Sequence, residues 1–181
     1  MRHAFLLLAL AALVSACTAT SAIPDGYSGP QAVIKDSVAN VASTSADFFF
    51  VDQVNGRNIG NALAYTAQAN QGRGLAMTPH DAQRPVPAGP LTLHVGGRTH
   101  FAAPFLEIVH GASEIGGVVH ITAESGATYL VKGELGANLC SVWIADEQSG
   151  KQMGNKLVAN GCPAGRLLPA HPKIEEIAPT P

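Results

Sequence analysis

Residues 118–132 read VVHITAESGATYLVK, and this stretch decides the fold class. Val119 and Ile121 alternate with polar neighbours, a period of two that is typical of a strand with one buried and one solvated face. The pair Ser125-Gly126 follows, and glycine supplies the positive φ that a tight turn requires before the next run begins. The stretch therefore predicts two β-strands joined by a turn.

Short runs of the same kind extend in both directions along the chain, each bounded by turn residues. They predict an all-β fold, a single antiparallel β-sandwich of the immunoglobulin-like type. The same alternation points Leu91, Leu93 and Val95 into the core. The turn pairs are Asn55-Gly56, Gly96-Gly97, Ser125-Gly126 and Ser149-Gly150, and the runs are residues 32–35, 48–54, 91–95, 99–103, 118–123, 128–132, 141–145 and 152–158.

One segment departs from this pattern. Residues 59–71 read IGNALAYTAQANQ, which is compatible with a short helix packed on one sheet, and Gly72 and Gly74 would end it. Residues 104–117 are ambiguous, because the apolar run 105–109 fits either a further strand or a helical turn. We therefore expect one short helix and leave the second segment open.

Composition limits the classes of protein to which the chain can belong. Its 181 residues suit one ordinary domain after a presequence is subtracted. Hydrophobic residues make up 46% and charged residues 13%, which is too apolar for a disordered chain, and 19 Gly with 12 Pro argue against a helical bundle. The net charge is -2 and no basic patch is evident, so no nucleic acid is expected as a partner.

The first residues have the organisation of an export signal. After Arg2, residues 5–14 form a ten-residue apolar run, whereas a membrane-spanning helix needs about 20 apolar residues. Residues 13–17 read LVSAC, which closely resembles the lipobox of bacterial lipoproteins. The resemblance implies that the thiol of Cys17 receives a diacylglyceryl group and that cleavage follows Ala16, so that lipid on Cys17 holds the protein to a membrane.

Simple secretion is the alternative, because Val14-Ser15-Ala16 also approximates the small-residue pattern at which ordinary signal peptides are cut. The lipobox interpretation is favoured. Under it, Thr18 stands where lipoproteins of the inner membrane often carry Asp, which implies an outer-membrane lipoprotein that faces the periplasm.

The chain divides into four parts on composition. Residues 1–16 are the expected lipoprotein signal peptide, and residues 17–30 are rich in small residues and read as a flexible tether. The β-sandwich domain is expected at 31–162. Residues 163–181 contain five prolines and are expected to form a largely unstructured tail.

Two cysteines remain once Cys17 is assigned to lipid. Cys140 and Cys162 form an even pair in an exported protein, where oxidation is the default. If residues 141–145 and 152–158 form a hairpin, Cys140 lies opposite the last residues of the second strand, close to Cys162. We therefore predict a Cys140–Cys162 disulfide that pins the start of the tail. A redox-active pair is disfavoured because the spacing is not C-x-x-C.

Candidate metal ligands are limited to histidines. A zinc or copper site needs three or four converging ligands, commonly with H-x-H or H-x-x-x-H spacing, and no histidine pair has it. His94, His100 and His120 are the best candidates because they could share a sheet face. No metal and no cofactor is predicted.

Motifs for catalysis are also missing from the sequence. It has no G-x-S-x-G elbow, no S-x-x-K and no P-loop, so no catalytic residue is predicted. Glu107, Glu114, Glu124 and Glu134 could include a carboxylate pair, but spacing alone cannot bring two of them together.

The middle of the chain has the motif order of a known type of domain. A Pro-Gly turn leads a strand at 86–93 (VPAGPLTL), and a Gly-x-x-Tyr pattern leads another at 125–131 (SGATYLV). With residues 51–56, 142–146 and 149–151, this layout resembles PEGA-like domains, which are small β-sandwiches of bacterial lipoproteins. The resemblance implies the fold and says nothing about catalysis.

The sequence therefore predicts a non-enzymatic envelope lipoprotein whose β-domain contacts an envelope protein or the cell wall. Residues 77–90 and the strand edges are the expected contact surface. Trp143 is expected in a core on the second face of its sheet, with a partly exposed contact aromatic as the alternative. A module that binds a small ligand or a metal is the alternative function, and a hydrolase would need a clustered acid, base or nucleophile in a pocket.

Overall fold

The computed structural model describes residues 21–162 and 174–179. In these residues, strands predominate over helices. The strands are β1 (Gln31–Lys35), β2 (Ser37–Ala39), β3 (Ser45–Val54), β4 (Arg57–Asn58), β5 (Gln83–Pro87), β6 (Gly89–Phe101), β7 (Glu114–Ala123), β8 (Thr128–Leu135), β9 (Leu139–Asp146), β10 (Gln152–Asn160) and β11 (Ile174–Ile177), and the helices are α1 (Ala62–Ala69) and α2 (Pro104–His110).

The strands form two sheets that enclose one main core. Sheet A has the order β11-β10-β9-β8-β1-β5, and sheet B has the order β2-β3-β6-β7 with β4 paired to β3. Leu93 and Val95 of sheet B and Val131 and Ile144 of sheet A are completely buried between them. The predicted all-β sandwich is confirmed, and so is the inward direction of Leu91, Leu93 and Val95.

One strand pair differs from the antiparallel expectation. Strands β1 and β8 run parallel, from Val33 opposite Thr128 to Lys35 opposite Leu130. Alternation of apolar residues predicts which face is buried but carries no information about the direction of the neighbouring strand. The sequence therefore could not have indicated this pair.

The prediction of a turn at Gly96-Gly97 was wrong, because β6 runs through both residues. A Cβ atom at Gly96 would lie 2.7 Å from Cζ of Phe50, and one at Gly97 would lie 3.0 Å from Cδ1 of Phe49. Both glycines leave room for aromatic rings of the adjacent strand β3, to which β6 pairs at these positions. Two expected strands, 91–95 and 99–103, are therefore one strand of thirteen residues.

The other turn pairs behave in two ways. Asn55-Gly56 joins β3 to β4, and Ser149-Gly150 joins β9 to β10, both as hairpins with positive φ at the glycine. Ser125-Gly126 instead connects β7 in sheet B to β8 in sheet A, so this turn carries the chain between the layers.

Both helices lie on the outside of sheet B. Helix α1 falls within the predicted segment 59–71. The side chain of Asn61 caps its start by accepting from the N–H of Ala64 at 2.8 Å, and Asn70 is the cap residue that follows its last turn. Helix α1 and the following loop cover a second, smaller core on the outer face of β3. That core consists of Ala46, Phe48, Ala62, Met77 and Ala82. The ambiguous segment 104–117 contains α2 and the start of β7.

The two ends of the domain differ from expectation. Residues 21–30 were expected within a flexible tether, yet Ala22 is only 5% exposed in the main core, and the backbone oxygen of Ser21 accepts from Nε of Arg57 at 3.2 Å. Residues 174–177 of the expected unstructured tail form β11 on the edge of sheet A. The signal peptide, Cys17 and the remainder of the tail lie outside the described residues.

A disulfide joins Cys140 to Cys162, with their Cα atoms 5.4 Å apart, as predicted. The register explains it, because Cys140 of β9 lies opposite Ala159 near the end of β10. In the part of the chain that the structure describes, neither helix has the length or the apolar character needed to cross a bilayer.

Candidate functional site

The three candidate histidines lie on sheet B, but each has its own neighbours. On β6, Nδ1 of His94 lies 2.7 Å from Oδ1 of Asp52. On β7, Nδ1 of His120 lies 3.2 Å from Oγ1 of Thr92. His100, at the far end of β6, approaches neither of these pairs. Across residues 21–162 and 174–179, no three His, Cys, Asp or Glu side chains are grouped as metal ligands.

Two of the four candidate carboxylates converge, but on a cation. Nη1 of Arg98 lies 3.0 Å from Oε2 of Glu114, and Nη2 of Arg98 forms an ion pair with Glu107. Both carboxylates are therefore engaged by the guanidinium group of Arg98 and are not paired with each other. Glu124 follows β7, and Glu134 lies on β8 in the other sheet. The structure brings neither of them to this cluster.

The most deeply buried charged pair is the ion pair of Arg84 with Asp36, and its contacts are those of a structural ion pair. The Nη2 atom of Arg84 lies 2.5 Å from Oδ2 of Asp36, whose side chain has no solvent exposure. The carboxylate also accepts from the N–H groups of Val51 at 3.2 Å and Ala62 at 2.8 Å. Burial raises the pKa of the Asp36 carboxyl, and the positive charge of Arg84 opposes that rise. These contacts join both sheets and α1 at one point.

The expected contact segment, residues 77–90, is largely part of the fold. Met77, Ala82 and Val86 are buried, and residues 83–87 form the edge strand β5. Residues 78, 80, 81, 83, 85 and 90 of the same segment are exposed, so its use as a contact surface stays a prediction.

Trp143 does not belong to a core. Its side chain is half-buried on the outer face of sheet A, where Nζ of Lys156 lies 4.0 Å from the ring centroid. Val142 and Ile144, its neighbours in the chain, are completely buried on the opposite face. The alternative of a partly exposed aromatic therefore describes Trp143.

Exposed apolar side chains gather at one end of the sandwich. Of the ten large hydrophobic side chains that are exposed in the described residues, five lie there, and the most exposed is Ile108 at 84%. We call this group the apolar tip. Its members are Val41, Leu75, Phe105, Ile108 and Val109.

Backbone hydrogen bonds tie together the three segments that carry the apolar tip. The N–H of Met77 donates to the oxygen of Ser43 at 2.9 Å, and the N–H of Ala102 donates to the oxygen of Thr44 at 2.8 Å. These bonds fix the loops before β3, after α1 and before α2 to one another. The three parts of the chain that carry the apolar tip are therefore held together at the same end of the sandwich.

Helix α2 is held on its polar side and leaves its apolar residues to solvent. None of its residues is buried. It contacts the sheet through the ion pair of Glu107 with Arg98 and through the ring of His110, which stacks on Phe101 with centroids 5.8 Å apart. Leu106 is half-buried, whereas Phe105, Ile108 and Val109 are exposed and contribute little to the packing of the core.

A cleft lies beside α2, between it and the end of α1. Its volume is about 270 Å³, and its walls include Asn70, Gly72, His100, Phe101, Pro104 and Glu107. Burial lowers the pKa of His100, and the charge of Glu107 opposes this, so the imidazole is neutral at pH 7. The cleft offers a neutral acceptor and a carboxylate, but no nucleophile beside a base.

The sequence contained part of the signal for the apolar tip. The run 105–109 is visible, but its exposure depends on how α2 is oriented, and Val41 and Leu75 are separate residues in distant loops.

Comparison with protein-family models, with curated proteins and with solved structures found no match.

Proposed function

We propose that this chain is a non-enzymatic lipoprotein of the bacterial cell envelope, held to the outer membrane by lipid on Cys17, and that it binds an envelope protein through the apolar tip. The observation that supports this most strongly is the tip itself, five exposed apolar side chains on three joined segments. Exposed apolar side chains that are concentrated in one region of a domain are typical of protein interaction sites.

The proposed export and lipid anchoring rest on the N-terminal sequence and on the disulfide. Residues 13–17 resemble a lipobox, and Thr18 does not carry the inner-membrane signal. The Cys140–Cys162 disulfide is the form expected in an oxidising compartment such as the periplasm. Both observations support export.

The geometry of the domain places the apolar tip away from the expected anchor. Ser21 contacts Arg57, beside the Val54 end of β3, whereas the tip lies at the Ser45 end of the same strand. A strand of this length spans roughly 30 Å at 3.3 Å per residue. Cys17 precedes Ser21 by four positions, which reach at most about 14 Å. With an anchor on Cys17, this separation supports a tip that faces the periplasm and not the anchoring bilayer.

The alternative of a metal-binding or small-ligand module has less support. His94, His100 and His120 engage different neighbours, and the described residues offer no observation that favours a ligand at them. An apolar tip also suits the apolar groove of a protein better than it suits the polar cell wall.

Site-specific photocrosslinking in intact cells tests the proposal. A photoreactive residue at position 108 is compared with one at position 118, because Val118 is also an exposed apolar residue but lies in the middle of β7. We expect a discrete protein adduct from position 108 and none from position 118, and we expect the adduct to be lost in the Cys17→Ala variant.

Two results would contradict the proposal. One is equal adducts from positions 108 and 118, and the other is no adduct from position 108 in correctly lipidated protein. Labelled palmitate tests the anchor separately, since wild type should incorporate it and Cys17→Ala should not.

A further inference from the structure

A second surface with ligand-binding chemistry lies on the outer face of sheet A. On β8 and β9, Lys132 lies directly opposite Trp143. On the other side of the ring, Lys156 of β10 places its Nζ atom 4.0 Å from the indole centroid. The indole of Trp143 therefore lies between two lysines on this face of the sheet.

Two carboxylates lie on the same face. They are displaced by two residues along the strands from the row formed by the lysines and the tryptophan. Glu134 is two residues from Lys132 on β8, so both side chains have the same orientation. Glu175 of β11 lies opposite Val158, which is two residues from Lys156 on β10. We call this group the tryptophan strip. Its members are Lys132, Glu134, Trp143, Lys156 and Glu175.

The charges of the tryptophan strip are balanced and not engaged with one another. Within residues 21–162 and 174–179, none of these lysines forms an ion pair with these glutamates. Their ammonium groups remain available as donors and their carboxylates as acceptors. A strongly anionic or strongly cationic ligand would be attracted by one pair of charges and repelled by the other, so the strip favours neither sign. The strip is therefore complementary to a neutral ligand that both donates and accepts hydrogen bonds.

We propose that the tryptophan strip binds a neutral glycan. One sugar ring stacks its apolar C–H face on the indole of Trp143, and the flanking lysines and glutamates bind its hydroxyl groups. The contact of Lys156 with the half-buried ring of Trp143 lies at the surface, where such cation–π contacts are weak, so a sugar can displace the lysine from the indole. This surface is separate from the apolar tip, and the inference does not depend on the proposed function.

The composition of the chain makes the test direct. The sequence contains a single tryptophan, so intrinsic tryptophan fluorescence reports on this site alone. The full chain is titrated with a soluble tetramer of β-1,4-linked N-acetylglucosamine, with cellotetraose as a second neutral glycan and heparin as an anionic one. We expect a saturable change in emission with a neutral glycan and none with heparin.

Variants locate the binding. Lys132→Ala and Glu134→Ala should each weaken binding roughly three- to tenfold, as expected for the loss of one solvent-accessible hydrogen bond. Lys151→Ala is the matched control, because this lysine is exposed in the turn before β10, and its affinity should stay within about twofold of wild type. The proposal is overturned if folded protein gives no saturable change with either neutral glycan, if heparin alone binds, or if the control weakens binding as much as the strip variants.

Discussion

The carboxylate of Asp36 lies at the residue where the chain leaves β1 in sheet A for β2 in sheet B. Burial raises its pKa, and Arg84 of β5 supplies the positive charge that opposes the rise. Removing one member of a buried ion pair costs about 3–5 kcal/mol, because the other charge is left uncompensated. At this scale, stability depends on one pair more than on any exposed charge.

Replacing the arginine tests this dependence. Arg84→Met should lower the free energy of unfolding by about 3–5 kcal/mol at pH 7, measured by urea denaturation. Lys35→Met is the matched control, because Lys35 pairs with Glu147 at the surface, and it should cost less than about 1 kcal/mol.

The pH dependence of the same variant follows from the sign of the shift. Without Arg84, the pKa of Asp36 rises further in the folded state, while in the unfolded state it stays near its ordinary value of 3.8. Stability contributed by such a group is fully present below the unfolded pKa and is lost as pH rises through the folded pKa. Relative to wild type, Arg84→Met should therefore recover stability as pH is lowered from 7 towards 4. Equal losses at both pH values would contradict this role of Asp36.

Strands, their buried faces and the hairpin of β9 with β10 were predictable at the element scale, and partners that are distant in the chain were not. Alternation placed Leu93 and Val119 correctly because one buried face imposes a period of two on any strand. Gly96-Gly97 was misread as a turn because a glycine that admits a ring from the next strand looks the same in sequence as a glycine in a turn. The strand at 174–177 was missed because its pairing with β10 is a long-range contact.

The glycines of β6 can be tested as packing residues. Gly96→Ala should destabilise the domain by about 1–3 kcal/mol, because its methyl group would meet the ring of Phe50. In the double variant with Phe50→Leu the loss should be smaller than the sum of the two single losses, which thermal unfolding of all three proteins would measure. Strict additivity would argue that the ring and the glycine do not interact.

For the whole molecule, the sandwich separates three features in space. Ser21, which leads to the expected anchor, lies near the β3–β4 hairpin, the apolar tip lies at the other end of β3, and the tryptophan strip lies on the outside of sheet A. The anchor on Cys17 stays a prediction, and of the two surfaces the sequence indicates only the apolar run 105–109 of the tip. Each surface combines residues that are distant in the chain, and their meeting depends on sheet order and helix orientation.

The central claim is that the apolar side chains of the tip serve binding and not folding. The measurement that tests it most directly is the Ile108→Asp variant, examined for thermal stability and for the adduct formed by a photoreactive residue at position 105. Because α2 buries none of its residues, the melting temperature should stay within about 2 °C of wild type, a change typical of exposed positions, while the adduct is lost. An unfolded variant, or a stable one that retains the adduct, would contradict the account.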